Sequence, residues 1–280
     1  MRRIKLTVAL MMTILLGGSA GAFEFATNRG LGMAGTVLFS EPSASTLLFM
    51  PSTSIEKGEL IIELGGMREF EIKELDRAYV AAATRFGNYT LTIGASQLGE
   101  RDYYAERTGK ISLAYQYFDY SFAVSISGID YSFGGNYASQ RAGTAGASFS
   151  YHYRRVFIGA SIDNINSPKL IESSPAINPK YSIYAEVVGK GAFSLTARGT
   201  FEKDQAIQLA LGQKIDVSNR GSVFWGFNTE PFQFGGGVDI WYNGQGAFTY
   251  AGSYHPTLGF SHNLSISYHF GKLKKPDDTF

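Results

Sequence analysis

The chain has 280 residues, 44% hydrophobic and only 18% charged, and its formal net charge of +1 lacks the basic footprint a nucleic-acid partner requires. It has no cysteine, which excludes a disulfide framework, a thiolate metal site and a thiol nucleophile. Gly (33), Phe (21) and Tyr (17) far outnumber Pro (8) and Trp (2), and mean hydropathy is −0.06, which suits a fold whose strands are apolar on one face only.

In chain order, Arg2, Arg3 and Lys5 precede an apolar stretch over residues 6–16 and the small residues Ala20-Gly21-Ala22. This predicts a secretory signal, residues 1–22, cleaved after Ala22. The apolar stretch falls short of the about 20 residues a spanning helix needs, and no later segment is longer. Residues 23–58 carry no strand repeat. They contain a glycine-rich run, Arg29-Gly30-Leu31-Gly32-Met33-Ala34-Gly35-Thr36-Val37, and then Glu41-Pro42-Ser43-Ala44-Ser45-Thr46-Leu47-Leu48-Phe49-Met50-Pro51-Ser52.

From Glu59 onward, segments of roughly ten residues alternate in polarity with the period of two that a strand requires. In one of them Tyr89, Leu91, Ile93 and Ala95 face away from Thr90, Thr92 and Gly94; in the last, Leu264, Ile266, Tyr268 and Phe270 face away from Asn263, Ser265, Ser267 and His269. Strands are predicted near 59–67, 77–86, 89–97, 109–117, 120–131, 142–152, 156–164, 180–189, 192–201, 205–214, 221–228, 232–242, 245–254 and 260–270. The connections alternate. Gly87-Asn88, Phe118-Asp119, Tyr153-Arg154-Arg155, Lys190-Gly191 and Asn243-Gly244 are tight, whereas 67–76, 98–108, 133–142 and 165–179 are long and polar. Short turns at one end and long loops at the other are the mark of an outer-membrane barrel. The fold expected is therefore all-β, a transmembrane antiparallel up-and-down barrel over residues 59–270 in the outer membrane of a Gram-negative-type bacterium.

About fourteen strands are expected, or twelve if the short connections at 202–205 and 229–231 are not turns, and the alternation slips at Ile129-Asp130-Tyr131 as at a bulge. An even count returns both ends to the periplasm, where residues 271–280, with Lys272, Lys274, Lys275, Asp277 and Asp278, form a tail. An Arg or Lys facing lipid at mid-depth costs about 2–4 kcal/mol, so Glu63, Arg85, Asp163, Glu186, Arg198 and Asp239, all on polar faces, are expected in the lumen. There they either fill the barrel as a polar network or line a path for ligand.

The run at 29–37 and the segment at 41–52 resemble the start of the long-chain fatty-acid transporter (FadL) family and its PorV/PorQ-type relatives, which carry a small-residue stretch, an acidic turn and an A-S-x-L-x-x-N-P-A-like motif. Ala44, Ser45, Thr46, Leu47, Phe49, Pro51 and Ser52 match in register, with Met50 where Asn is usual and Ser52 where Ala is usual. The resemblance implies that residues 23–58 fold into the lumen as a plug, with Leu47, Leu48, Phe49 and Met50 as its apolar face. It also implies two functions. One is a channel or carrier for small hydrophobic molecules; the other is a role in a protein-secretion or surface-attachment system, with Arg101, Asp102, Tyr103, Tyr104 and Arg107 as docking residues.

Chemistry of other kinds is not indicated. Gly30-Leu31-Gly32-Met33 and Gly235-Gly236-Gly237 lack the Lys-Ser/Thr and helix that a phosphate loop needs, and barrel geometry accounts for them. His152, His255, His262 and His269 have no metal-ligand spacing, so neither a metal nor another cofactor is expected. A lipid hydrolase could pair His152 with Ser150, or His262 with Ser261 and Asn263, but adjacency along a strand sends side chains to opposite faces, and no enzyme is expected. The remaining partners are outer-membrane lipid, a hydrophobic small molecule and secretion-system proteins.

Overall fold

A computed structural model of the chain describes residues 28–100, 104–134, 139–170, 176–190 and 193–271. The signal at 1–22, residues 23–27 of the pre-barrel segment, Arg101, Asp102 and Tyr103, and residues 272–280 of the tail lie outside the described residues.

Among the described residues, fourteen antiparallel strands close into a barrel in simple sequence order, with the first pairing the last. They are β1 (Leu60–Arg68), β2 (Asp76–Phe86), β3 (Tyr89–Glu100), β4 (Tyr104–Tyr117), β5 (Tyr120–Phe133), β6 (Gln140–Tyr153), β7 (Val156–Asp163), β8 (Lys180–Val188), β9 (Phe193–Glu202), β10 (Gln208–Ser218), β11 (Gly221–Thr229), β12 (Phe232–Tyr242), β13 (Gly246–His255) and β14 (Gly259–Phe270). Two short helices, α1 (Asn28–Gly32) and α2 (Ala44–Phe49), precede the barrel. No helix among the described residues is long and apolar enough to cross a membrane; strands do the crossing.

The outer surface is layered by the strand register. On β3 to β6 one aromatic row holds Tyr89, Tyr115, Phe122 and Phe149, with ring centroids 5.1 Å apart in the pairs Tyr89–Tyr115 and Phe122–Phe149. Two residues along come Leu91, Leu113, Val124 and Ala147, then Ile93, Ile111, Ile126 and Ala145, which together make an aliphatic belt. Ile126 is 66% exposed while its neighbour Ser125 is 6% exposed, so the apolar face looks out and the hydroxyl face looks in. The belt ends at the row Gln97, Arg107, Asp130 and Arg141, where Asp130 pairs with Arg141 at 3.0 Å and Arg107 at 3.7 Å. An aromatic girdle, an apolar band and a charged rim are what a lipid bilayer requires of a barrel wall.

The structure moves several strand ends. β3 and β4 run well past the predicted limits and β5 and β6 by one or two residues, so the long connection expected at 98–108 is mostly hairpin stem and the one at 133–142 is shortened. Polar residues had marked these stretches as loops, but cross-strand pairs such as Arg107–Asp130–Arg141 carry the ladder beyond the apolar band. Tyr104 and Arg107 are therefore strand residues and not parts of a docking loop. β10 spans 208–218 and not 205–214, because Leu209, Leu211, Ile215 and Val217 set its outward face. At Ile129-Asp130-Tyr131 there is no bulge, since β5 stays in unbroken register with both neighbours. What changes there is the polarity of the two faces, and that change matters for the site.

Candidate functional site

Residues 28–58 touch the inward face of the wall around most of its circumference. Asn28 Nδ2 donates to Thr249 O at 2.9 Å, and Arg29 Nε donates to Asp239 Oδ2 at 2.9 Å. Lys214 Nζ donates to Glu41 Oε1 at 2.6 Å, and Thr196 Oγ1 to Thr36 Oγ1 at 2.7 Å. Glu186 accepts from the backbone N–H groups of Phe39 and Ser40 and from the Ser40 hydroxyl. Glu63 accepts from Ser45 N, Ser45 Oγ and Tyr79 OH, each at 2.9 Å. Ser43 caps the same helix by accepting from Thr46 N, so the unpaired N–H groups at the start of α2 are met by one local oxygen and one carboxylate of the wall. Farther along, Ser52 N donates to Ser148 Oγ at 3.0 Å, and Arg85 Nη1 donates to Ser54 Oγ and Ile55 O.

The six predicted polar residues thus divide. Glu63, Arg85, Glu186 and Asp239 bond to residues 28–58, and Glu63 and Asp239 also accept from the wall, Glu63 from Tyr79 and Asp239 from Ser222 and Thr249. Arg198 is buried, with its guanidinium 5.9 Å from the Phe49 ring centroid, and Asp163 faces Lys110 Nζ at 3.5 Å. The four apolar residues expected as one face also divide. Leu47 and Leu48 pack on Ile61, Tyr79, Ala81 and Ala83 of β1 and β2, whereas Phe49 and Met50 pack with Val37, Phe39, Phe157 and Tyr184. A helix of only six residues turns consecutive side chains to different sides, which parts them.

Sequence reasoning missed Arg29, Glu41, Lys110 and Lys214. Lys110 and Lys214 could have been found from the inward parity of Lys110-Ser112-Ala114 and of Ala210-Gly212-Lys214. Burial alone would raise the Glu41 carboxyl, but Lys214 and Arg29 outweigh it and hold the group below the ordinary carboxylate range. A carboxylate with a lowered folded-state value contributes stability above its unfolded value, near pH 4, and loses it as pH falls through the folded one. Acidification below about pH 4 should therefore loosen residues 36–42 first, read as amide exchange there before exchange in the strands.

Gly235-Gly236-Gly237 has a reason beyond barrel geometry. A Cβ on Gly235 would lie 2.6 Å from Leu31 O and 2.8 Å from Gly32 O, and one on Gly226 would lie 2.6 Å from the Met33 carbonyl carbon. These inward glycines let the backbone of residues 31–33 lie directly on the wall of β11 and β12.

At the end with the long connections the inner face of β5 becomes apolar. Leu98, Ile129, Tyr131, Phe133 and Ala142 occupy inward positions continuous with Ser125, Ser127 and Thr144 below them, and Tyr104 does the same on β4. Ile129 and Tyr131 are buried against Tyr104, Phe133, Ala142, and Leu170 and Ile177 of the β7–β8 connection. The Tyr104 ring centroid is 5.5 Å from that of Phe133 and 6.3 Å from that of Tyr131. Thr108 is level with Ile129; one row deeper on the same strands lies a belt of Lys110, Ser127 and Thr144, and below it residues 28–58. The result is an aromatic cluster at the mouth, called the vestibule below, above a polar waist.

The candidate hydrolase pairs do not converge. Ser150 and His152, two residues apart, share the inward parity, contrary to the reading of opposite faces, but Ser150 donates to Ser52 O at 2.7 Å and the His152 ring stacks on Phe157. Ser261 faces in and accepts from Phe70 N, while His262 faces out onto Tyr250.

The barrel superposes on three solved channels. The toluene transporter TbuX of Ralstonia pickettii matches with a TM-score of 0.60 at 10% identity, over 88% of this chain and 98% of that one. The fold is that of an outer-membrane β-barrel. The toluene transporter TodX of P. putida matches at 0.59 and 10% identity, over 90% and 100% of the two chains. The monoaromatic hydrocarbon channel CymD matches at 0.61 and 10% identity, over 89% and 98%. No protein-family model matches the chain, and no curated protein matches it by sequence. At such identity the likeness speaks for the outer-membrane barrel itself, with its plan of strands, rims and lumen, and not for what passes through it.

Proposed function

We propose that this chain is an outer-membrane channel for small hydrophobic molecules, with small aromatic compounds as the class its vestibule fits. The observation that carries the reading is the change of polarity on the inner face of β5, where Ser125 and Ser127 give way to Ile129, Tyr131 and Phe133 at the external mouth. Leu98, Tyr104 and Ala142 of the neighbouring strands extend that apolar surface, with Glu106 set in it. Ile129 and Tyr131 are buried against Leu170 and Ile177, so the apolar mouth is covered by the β7–β8 connection and not by water. A small apolar ligand that takes the place of Leu170 and Ile177 would meet the same apolar surface, and the partly buried Tyr104 and Phe133 offer their rings to it. That the solved channels of the same fold are described as carrying toluene or monoaromatic hydrocarbons supports the reading.

In this account residues 28–58 are the plug. Glu63, Glu186, Asp239 and Lys214 hold it, and a ligand passes only when it shifts. Co-crystallisation with bromobenzene tests the entry site. The bromine signal is expected within contact distance of Tyr131, Phe133 and Leu170; bromine found only on the lipid-facing surface would refute the vestibule.

A further inference from the structure

We infer that Glu106 makes the vestibule selective for aromatic molecules that carry an amine, over plain hydrocarbons. This rests on the proposed channel function and names its substrate class. Glu106 lies on β4 between two inward neighbours, Leu98 on β3 and Tyr131 on β5, and two residues from Tyr104. It is half-buried, and the Tyr104 hydroxyl donates to its Oε1. Its second oxygen, Oε2, has no hydrogen-bond partner among the described residues. The nearest cation on this face, Arg77, bonds to Glu69, with Nε at 3.1 Å and Nη2 at 3.0 Å from Glu69 Oε1, and acts on Glu106 through its charge and not through a hydrogen bond.

A carboxylate among aromatic rings, with one oxygen held by a tyrosine and the other open, fits a ligand with a ring and a cationic donor. The ring stacks among Tyr104, Tyr131 and Phe133, and the ammonium donates to Oε2 in a charge-assisted hydrogen bond, with the tyrosine faces adding cation–π attraction. A pure hydrocarbon gains the ring contacts alone. It also strips water from Oε2 without replacing it, which costs binding.

The test is uptake of radiolabelled benzylamine and toluene into porin-deficient cells carrying the full-length chain, compared with Glu106→Gln. The saturable component for benzylamine is expected to exceed that for toluene about tenfold, and Glu106→Gln should bring the two together by lowering benzylamine uptake while leaving toluene uptake in place. Equal saturable uptake of both by the parent overturns the role of Glu106 and leaves the channel reading standing. No saturable uptake of either overturns the channel reading itself. If Glu106→Gln lowers both equally, the carboxylate is structural and the inference fails. Should that variant not assemble, the ratio measured for the parent decides.

Discussion

Gly235→Val is expected to leave the barrel assembled but to unseat residues 28–58 from the wall and, on the proposed reading of that segment as a plug, to let the barrel conduct ions that the parent blocks. The carbonyl oxygens of Leu31 and Gly32 lie 2.6 and 2.8 Å from where the new Cβ must stand. Both are backbone atoms and cannot swing aside as a side chain would. Inserting a branched side chain into a filled site costs about 1–3 kcal/mol, and here the strain falls on the segment, which is held by scattered bonds, and not on the wall, which is held by a continuous ladder. Gly236→Val is the control. Its Cβ would point outward, with Phe224 O at 3.5 Å and Trp225 Cβ at 3.9 Å, which is ordinary contact. Single-channel recording in planar bilayers should find steady current for Gly235→Val and little for the parent or Gly236→Val. Current of the same size in all three would mean that residues 28–58 do not close the lumen.

Glu186→Ala should loosen the same segment from the other side of the barrel. The carboxylate is fully buried and satisfies three donors, the N–H groups of Phe39 and Ser40 and the Ser40 hydroxyl. Deleting it leaves buried donors without an acceptor, at about 1–3 kcal/mol each, and no local residue replaces an acceptor that lies nearly 150 positions away. The chain has no cysteine, so a single Val37→Cys becomes a unique reporter of whether the segment is covered. Its reaction with a water-soluble maleimide should quicken by about tenfold or more when Glu186→Ala is added. Glu186→Gln, which keeps one acceptor oxygen, should fall between the two. An unchanged rate in Glu186→Ala would show that the carboxylate does not hold the segment.

The wall was legible in the sequence because every strand answers the same question, which face meets lipid. Tyr89, Leu91, Ile93 and Ala95, or Leu264, Ile266, Tyr268 and Phe270, resolve that question by a period of two with no knowledge of partners. Strand ends were legible only where apolar residues stop at the turn, as at Gly87-Asn88. On β3 to β6 the strands continue through polar residues held by cross-strand ion pairs, and such pairs are invisible until the register is known. The same limit hid the vestibule. Ile129 and Tyr131 looked like a slip in the alternation, yet the ladder runs on and only the chemistry of the inner face changes.

Inside the barrel, the carboxylates could be assigned a direction but not a partner. Glu63, Glu186 and Asp239 point inward because charge is excluded from lipid, a local rule. That they meet Ser45, Phe39, Ser40 and Arg29 depends on how a segment with no repeat folds over itself, which no periodicity encodes. Gly235 belongs to the same category: a glycine in a strand reads as curvature until the backbone lying on it is seen.

The central claim is that small aromatic molecules enter through the vestibule, and the rate of uptake by whole cells tests it most directly. The slow outer leaflet makes the chain, and not the lipid, the route that is measured. Cells carrying the chain should take up radiolabelled toluene in a saturable manner well above cells without it, and Ile129→Asp, which buries a carboxylate among Tyr104, Tyr131 and Phe133, should return uptake to background in cells whose content of assembled barrel matches the parent's. Uptake that is the same with and without the chain, or that survives Ile129→Asp undiminished, would contradict the account.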